Sequence, residues 1–170
     1  DKHSALLRFD LSAYQTNNWE ILGGGTLYIF CREKQPNAGT FNLYKLRQSA
    51  DDWDGNSMGG PSTPDWDTIG ATERQNAIDD GAIGSGDFSG TGFREVSVSK
   101  AAIQAMISNG AADRGVMLDN GNTISNSRVY LNGINWAATN ERPYLVFPAT
   151  ATAIQRSLVT VVPDTTGHIE

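Results

Sequence analysis

The stretch "GGGTLYIFCRE" constrains the fold of this chain more than any other part of its sequence, because it is apolar on both faces of an extended strand. Leu27, Ile29 and Cys31 fall on one face, and Tyr28 and Phe30 fall on the other, since successive side chains of a strand point to opposite sides. A strand with two covered faces is typical of the centre of a sheet. We therefore expect a central strand of a β-sandwich here.

The segment "ALLRFDLS" near the start of the chain shows a simpler alternation. Leu7, Phe9 and Leu11 fall on one face, while Arg8 and Asp10 fall on the other. This period of two predicts a strand with one buried face.

Two later segments also alternate. In "TFNLYKLRQ" the residues Phe41, Leu43 and Lys45 share a face, and in "FREVSVS" Phe93 faces away from Val96. Eighteen glycines and recurring turn pairs separate these segments, and "RGVMLDNGNTISNSRVYLNG" is interpreted as two strands around the turn pair Asn120-Gly121. Short alternating segments between turn signals predict an all-β fold.

One segment has helical rather than strand periodicity. In "SKAAIQAMISNG" Ser99 is a candidate N-cap, and Asn109-Gly110 supplies a stop. Ile103, Met106 and Ile107 form an apolar stripe at helical spacing, which indicates contact with the core. We expect one short helix.

Composition excludes several classes of partner. A chain of 170 residues with 39% hydrophobic content is long enough for one domain with a core plus an extension. A net charge of −6 without a basic block argues against nucleic acid and anionic membrane surfaces. No apolar run approaches the ~18 to 20 residues that cross a bilayer. Cys31 is the sole cysteine, which leaves no intrachain disulfide, and we interpret it as a small strand hydrophobe.

A loop-rich stretch covers roughly residues 49–92, and a stretch of that length is more often functional or a subunit contact than a simple connection. Within it, "DDWDGN" places Asp52, Asp54 and Asn56 at the spacing of oxygen ligands in calcium loops. The glycine and glutamate that such loops carry at their sixth and twelfth positions are missing. We favour a polar turn over a metal site.

Catalytic motifs are scarce in the sequence. The histidines are His3 and His168, each within three residues of an end, so no interior imidazole is available for a nucleophile-histidine pair. No CxxC, HExxH, P-loop or nucleophile-elbow motif is present. A carboxylate pair for glycoside hydrolysis stays open, because the spatial separation of Asp and Glu is not visible in a sequence. We expect a non-enzymatic protein without a cofactor.

Tryptophans offer candidate sugar-binding positions. Sugar rings stack on aromatic faces that have polar groups beside them. All four tryptophans lie next to Asn, Asp or Glu in predicted loops, and the alternative is that they cap the ends of the core: Trp19, Trp53, Trp66 and Trp136.

Five segments occur in an order that resembles the DNRLRE domain family, which is similar to carbohydrate-binding module family 96. They are "LLRFDLS", "NLYKLRQSADDW", "VSVSKAAIQAMISNG", "RGVMLDNGN" and "ERPYLVF". The resemblance extends from about residue 5 to residue 147. The resemblance implies a jelly-roll-like β-sandwich that belongs to secreted or cell-surface proteins and is often non-catalytic.

The chain departs from the family pattern at its ends. Family members begin with a strand resembling "v.p..DtyI" and a second short strand, whereas here the "LLRFDLS" strand begins four residues after Asp1. The segment "LVTVVPDTTGHIE" near the other end resembles that opening strand. A sandwich that lacks a strand exposes core side chains and unpaired backbone groups. The predicted acceptor groove comprises Leu7, Phe9 and Leu11, and the predicted donor strand comprises Leu158, Val159, Val161 and Val162.

Three arrangements of this C-terminal strand are open. It can fold back onto its own domain, enter the groove of the next subunit, or be the first strand of a following repeat in a tandem array. The segment "PATATAIQR" is long enough for either of the first two routes. Insertion into a neighbour is heterologous and generates an open filament.

These observations predict an all-β, jelly-roll-like β-sandwich with one short helix and a C-terminal extension strand. Residues 1–148 form the sandwich without its usual first strand, and residues 149–170 form a linker and a donor-like strand. The expected function is that of a non-catalytic structural subunit, extracellular or at the cell surface, which assembles head to tail into a filament or fibre with identical subunits. The alternative is a carbohydrate-binding module of a larger secreted protein, with polysaccharide as its partner.

Overall fold

A computed structural model describes residues 5–16, 19–46, 81–110, 113, 115–120, 127–133 and 136–151. Within these ranges the chain forms ten strands, two α-helices and one 3-10 helix. The strands are β1 (Ala5–Leu7), β2 (Trp19–Ile21), β3 (Gly25–Lys34), β4 (Thr40–Lys45), β5 (Gly84–Asp87), β6 (Gly92–Val98), β7 (Val116–Asp119), β8 (Val129–Leu131), β9 (Tyr144–Val146) and β10 (Ala149–Ala151). The helices are α1 (Ser12–Thr16), α2 (Lys100–Asn109) and the 3-10 helix Thr139–Glu141.

The strands form two antiparallel sheets. The main sheet has eight strands in the order β1-β7-β4-β5-β6-β3-β8, with β9 also paired to β3. The small sheet consists of β2 and β10. The expectation of an all-β, sandwich-like fold is therefore confirmed, and the jelly-roll connectivity stays a prediction.

The long strand β3 is central, as its two apolar faces predicted. On one side it pairs with β6 over the register Gly25↔Val98 to Cys31↔Gly92. On the other side its first half pairs with β9 and its second half with β8, with a register shift between Cys31 and Glu33. β3 is thus hydrogen-bonded to three other strands.

The core lies on the inner face of the main sheet. The predicted inward residues of β3 and β4 are buried there, and Phe88 packs against Phe41 with ring centroids 4.9 Å apart. β5 passes so close to β6 at Gly84 that a Cβ atom at this position would overlap the carbonyl oxygen of Ser97. A side chain at position 84 would push these two strands apart.

Helix α2 closes the inner face, and its predicted limits are confirmed. The Ser99 side chain accepts a hydrogen bond from the backbone N–H of Ala102 at 3.2 Å, which caps the first turn. Gly110 ends the helix with a φ of 53°, a backbone conformation that favours glycine. The stripe of Ile103, Met106 and Ile107 is buried.

The predicted strand "ALLRFDLS" is shorter than its alternation indicated, and the expectation of a single helix is wrong. β1 ends at Leu7, and α1 begins at Ser12. The side chain of Asp10 accepts a hydrogen bond from the backbone N–H of Ser12 at 3.0 Å. This local side-chain contact offers the backbone an alternative to the strand ladder and starts a helical turn instead.

The segment predicted as a linker begins with a strand. Ala149, Thr150 and Ala151 form β10 and pair with Ile21, Glu20 and Trp19 of β2. The two strands predicted around Asn120-Gly121 are β7 and β8, which pair with different partners at separate places in the main sheet.

Candidate functional site

The strand β1 occupies one end of the main sheet. It pairs with β7 through Ala5↔Leu118, Leu6↔Met117 and Leu7↔Val116. Within the described ranges, no strand pairs with its outer side. An unpaired edge presents backbone N–H and C=O groups that can accept a further strand. We call the outer side of β1, together with Phe9 just beyond its end, the open edge.

The three predicted groove residues do not have equal access at the open edge. Leu7 and Leu11 are buried in the core, whereas Phe9 is half-buried and packs against the core from outside. Ala5 and Leu6 are also half-buried. The apolar surface available to an incoming strand therefore belongs to Ala5, Leu6 and Phe9. Ala5 and Phe9 pack against the same core cluster as Leu7 and Leu11, whereas Leu6 packs against a second, smaller buried cluster.

The end of the open edge is acidic. Hydrogen bonds from the side chain and the backbone of Ser12 lower the pKa of Asp10 below its ordinary value, and the charge of Arg8 acts in the same direction. The carboxylate of Asp10 therefore stays ionised through mildly acidic conditions. A strand that extends past β1 meets a fixed negative charge at this position.

Several predicted site residues lie outside the described residues. They are the donor residues Leu158, Val159, Val161 and Val162, the tryptophans Trp53 and Trp66, and the residues of the weak calcium motif Asp52, Asp54 and Asn56. Their roles stay predictions.

Trp19 lies at the start of β2 within an aromatic group. Its ring meets that of Tyr14 edge-on at 5.5 Å, and Tyr14 in turn contacts Phe147 at 5.0 Å. Trp19 keeps 38% of its surface exposed. Part of its ring is therefore available to a ligand, while Tyr14 and Phe147 anchor it to the domain.

Trp136 is held by a separate set of polar contacts. Its indole N–H donates to Glu141 Oε2 at 2.8 Å, and Asn132 Nδ2 donates to the same oxygen at 2.9 Å. The guanidinium of Arg32 lies 5.2 Å from the centre of its ring. Arg142 Nε donates to its backbone carbonyl at 2.8 Å. These contacts fix the ring of Trp136 and place a guanidinium over one of its faces. The ring partner of Trp19 is Tyr14, so the two tryptophans belong to separate groups.

A third aromatic group lies on the outer face of the main sheet, and the sequence interpretation missed it. Tyr28 and Tyr144 stack with ring centroids 4.8 Å apart, Phe30 and Phe93 meet edge-on at 5.2 Å, and Phe93 meets Tyr144 at 5.7 Å. We call these four residues the aromatic face. Phe93 and Tyr144 keep 38% and 45% of their surface exposed.

Polar residues border the aromatic face. Glu95 is the β6 partner of Tyr28 in the strand register, and Ser97 is the β6 partner of Thr26. Glu95 and Ser97 are exposed. The Ser97 hydroxyl accepts a hydrogen bond at 3.0 Å and donates one at 3.1 Å to the backbone of β5, so its proton is already used. Flat aromatic rings beside the carboxylate of Glu95 form a surface that can stack on a sugar ring and hydrogen-bond to its hydroxyl groups. The signal in the sequence is the pair Tyr28 and Phe30, whose predicted covered face is partly exposed in the structure, since Phe93 and Tyr144 on the same face are exposed.

Cys31 is a buried free thiol on the inner face of β3. Its Sγ donates to the carbonyl oxygen of Glu33 at 3.4 Å. Burial raises the pKa of the Cys31 thiol above its ordinary value, against a smaller opposing effect of the Arg94 charge. A buried thiol with a raised pKa is a poor nucleophile, which fits its interpretation as a strand hydrophobe.

A buried ion pair links β4 to the connection between α2 and β7. Lys45 Nζ lies 2.6 Å from Asp113 Oδ2, and the two side chains are only 6% and 1% exposed. Lys45 Nζ also donates to the carbonyl oxygen of Gly115 at 3.3 Å. Asp113 Oδ1 accepts a hydrogen bond from the backbone N–H of Gly115 at 2.7 Å. Both charges are therefore partnered.

The described part of the chain contains no group of three or more His, Cys, Asp or Glu side chains that could hold a metal ion. Among the same residues, no helix is both long and apolar enough to cross a membrane.

The described residues define an all-β domain in which the outer side of β1 has no strand partner and an aromatic face is partly exposed. The comparisons with known proteins found no matching family model, curated protein or solved structure.

Proposed function

We propose that this chain is a secreted, non-catalytic structural subunit that assembles head to tail into an extracellular filament or surface fibre by strand insertion. The observation that carries the proposal is the open edge. β1 pairs with β7 on one side, and its outer side has no strand partner among the described residues. Strand addition to such an edge supplies a ladder of backbone hydrogen bonds together with side-chain burial.

The apolar surface of the open edge supports a specific joint. Ala5, Leu6 and Phe9 are half-buried, so an incoming strand can cover the rest of their surface. The C-terminal segment supplies matching residues, namely Leu158, Val159, Val161 and Val162. Full burial of each such side chain contributes about 1.5 to 3 kcal/mol. Two or three of them, added to net hydrogen-bond gains of about 1 kcal/mol each, are enough for a stable contact.

The donor residues lie a short distance beyond β10 in the sequence. β10 ends at Ala151 beside Trp19 of β2, and the donor residues begin seven positions later at Leu158. An extended chain advances about 3.3 to 3.6 Å per residue, so this spacing reaches about 25 Å from the end of β10. That length permits insertion into a neighbouring subunit as well as return to the same domain.

Deletion of residues 155–170 tests the proposal. We expect the full chain to form polymers, and we expect the truncated chain to stay monomeric with unchanged circular dichroism. Size-exclusion chromatography with light scattering and negative-stain electron microscopy measure the difference. Truncated subunits that polymerise as well as the full chain would falsify strand insertion.

A synthetic peptide of residues 155–170 distinguishes insertion into a neighbour from closure within one chain. If the segment inserts between subunits, excess peptide occupies the open edge of truncated subunits and stops chain growth when added to full-length ones. The matched control is the same peptide with Val161→Asp, because a buried unpaired charge costs several kcal/mol. A full-length chain that is monomeric and ignores the peptide indicates closure within one chain.

We propose polysaccharide binding as a second candidate function, and the aromatic face supports it. Tyr28, Phe30, Phe93 and Tyr144 form a contiguous ring surface with Glu95 at its border. Tyr144→Ala is expected to reduce retention on insoluble polysaccharides, because it removes the most exposed ring of this group. Tyr130→Ala on β8 is the control, since Tyr130 is similarly exposed but lies outside the group. Equal retention of both variants and the wild type would count against binding at this face.

A further inference from the structure

Three side chains with complementary chemistry converge on the inner side of the domain. Lys45 Nζ lies 2.6 Å from Asp113 Oδ2, and Asn109 Nδ2 donates to the same oxygen at 3.3 Å. The second oxygen of Asp113 is fixed by the backbone N–H of Gly115 at 2.7 Å. An amine and a carboxamide are thus held beside one buried carboxylate oxygen.

A buried ion pair is a costly way to stabilise a fold. A buried lysine loses the hydration of its ammonium group, and a buried ion pair often contributes no more than a well-packed apolar pair. Lys45 shares its face of β4 with Phe41 and Leu43, where an apolar residue would continue the pattern. An amine, a carboxamide and a carboxylate that meet in a buried site can also react with one another.

We propose that Lys45 and Asn109 form an intramolecular amide cross-link, with Asp113 as the group that moves the protons. The ammonium of Lys45 first passes a proton to Asp113 Oδ2 along their short contact. This transfer converts two buried charges into a neutral amine and a carboxylic acid, which need less solvation. The neutral amine is the form that can act as a nucleophile.

The amine of Lys45 then attacks Cγ of Asn109. A bond forms between Nζ and Cγ, and the bond between Cγ and Nδ2 breaks. Asp113 takes a proton from the attacking nitrogen and delivers protons to the departing one, which leaves as ammonium. The products are a secondary amide between the two side chains and an ionised Asp113, so atoms and charge balance without an oxidant or cofactor.

Asn109, rather than Asp113, is the electrophile in this scheme. If Lys45 condensed with Asp113, water would be lost and the carboxylate would be consumed in the bond. Among the described residues, the contacts of Lys45 and Asp113 include no second carboxylate to move the protons. Asn109 supplies a leaving group while Asp113 keeps its role. The reaction requires Lys45 Nζ to move from Asp113 Oδ2 to Cγ of Asn109, whose Nδ2 lies 3.3 Å from the same oxygen.

Peptide mapping of the denatured full-length chain tests the proposal directly. A cross-linked Lys45 resists trypsin, so the digest should contain Gln35–Arg47 joined to Ala101–Arg114, with a mass lower than their sum by one ammonia. Fragmentation should assign the link to Asn109, because breaks between Asn109 and Asp113 separate the two candidate positions. The Lys45→Arg variant keeps a positive charge and should yield no joined peptide.

Loss of ammonia alone is not sufficient evidence. The sequence Asn109-Gly110 can cyclise to a succinimide with the same mass change, but that product does not join two peptides. Asp113→Asn should abolish the joined peptide, because an amide cannot move the protons. The proposal is overturned by a wild-type digest with free peptides alone, by a link through Asp113, or by an undiminished link in Asp113→Asn.

Discussion

Replacement of Phe88 by alanine tests which face of the main sheet carries the core. Phe88 is 0% exposed and packs against Phe41 at 4.9 Å. Truncation of a fully buried phenylalanine costs about 3 to 5 kcal/mol, because burial is lost and a cavity remains. Phe93→Ala is the matched control, since Phe93 is 38% exposed on the opposite face. It should cost about 1 to 2 kcal/mol, mainly from the lost contacts with Phe30 and Tyr144.

Urea unfolding monitored by tryptophan fluorescence measures both free energies of unfolding, and the denaturant dependence should be the same for the two variants. The expected result is that Phe88→Ala is less stable than Phe93→Ala by at least about 1 kcal/mol. Equal losses would refute the assignment of inner and outer faces, and with it the view that the aromatic face is free to contact a ligand. A stable Phe93→Ala protein then serves in the polysaccharide assays.

Three further results are expected from the polar and sulfur contacts. Ser99→Ala should lower the free energy of unfolding by about 1 kcal/mol, because the first turn of α2 loses its cap; an unchanged urea midpoint would contradict the capping role. Cys31 should react with a maleimide far more slowly in the native protein than in denaturant, since the thiol is buried and its pKa is raised; equal rates would refute its burial. Hydrogen bonds from the side chain and backbone of Ser89 lower the pKa of Asp87, and Ser89→Ala should raise it toward the ordinary value in an NMR titration. Because the folded pKa of Asp87 is depressed, its stabilising effect is present above the unfolded pKa and is lost as the pH falls through the folded value, and this acid loss should shrink in Ser89→Ala.

Local patterns predicted the elements that are long enough to show a period. β3, β4 and β6 alternate over six residues or more, and α2 combines a cap, a stripe and a stop. β2 and β10 are each three residues long, which is too short for a periodic signal, and they depend on their sheet partners. β1 is equally short, and the alternation that predicted it continues past its last residue, Leu7. α1 was missed because a single side-chain contact from Asp10 overrides the alternation of "ALLRFDLS".

The candidate site was only partly visible in the sequence. Tyr28 and Phe30 were recognised as a second apolar face of β3, but the alternation does not tell whether anything packs on that face. The structure adds Phe93 and Tyr144, which come from β6 and β9 and join only through the sheet register. The meeting of Lys45 with Asp113 is equally non-local, although the inward direction of Lys45 was predicted.

The order of the strands has a consequence for synthesis in the cell. β1 pairs with β7, and β3 completes its pairing only with β8 and β9, so each waits for partners about a hundred residues further along the chain. Contacts of such high sequence separation fold slowly. While the ribosome is still translating the last strands, one edge of β3 has no strand partner, and Tyr28 lacks its contact with Tyr144. Nascent chains of this kind are prone to premature association, and we expect their expression yield to depend on a chaperone that holds them open until the final strands emerge.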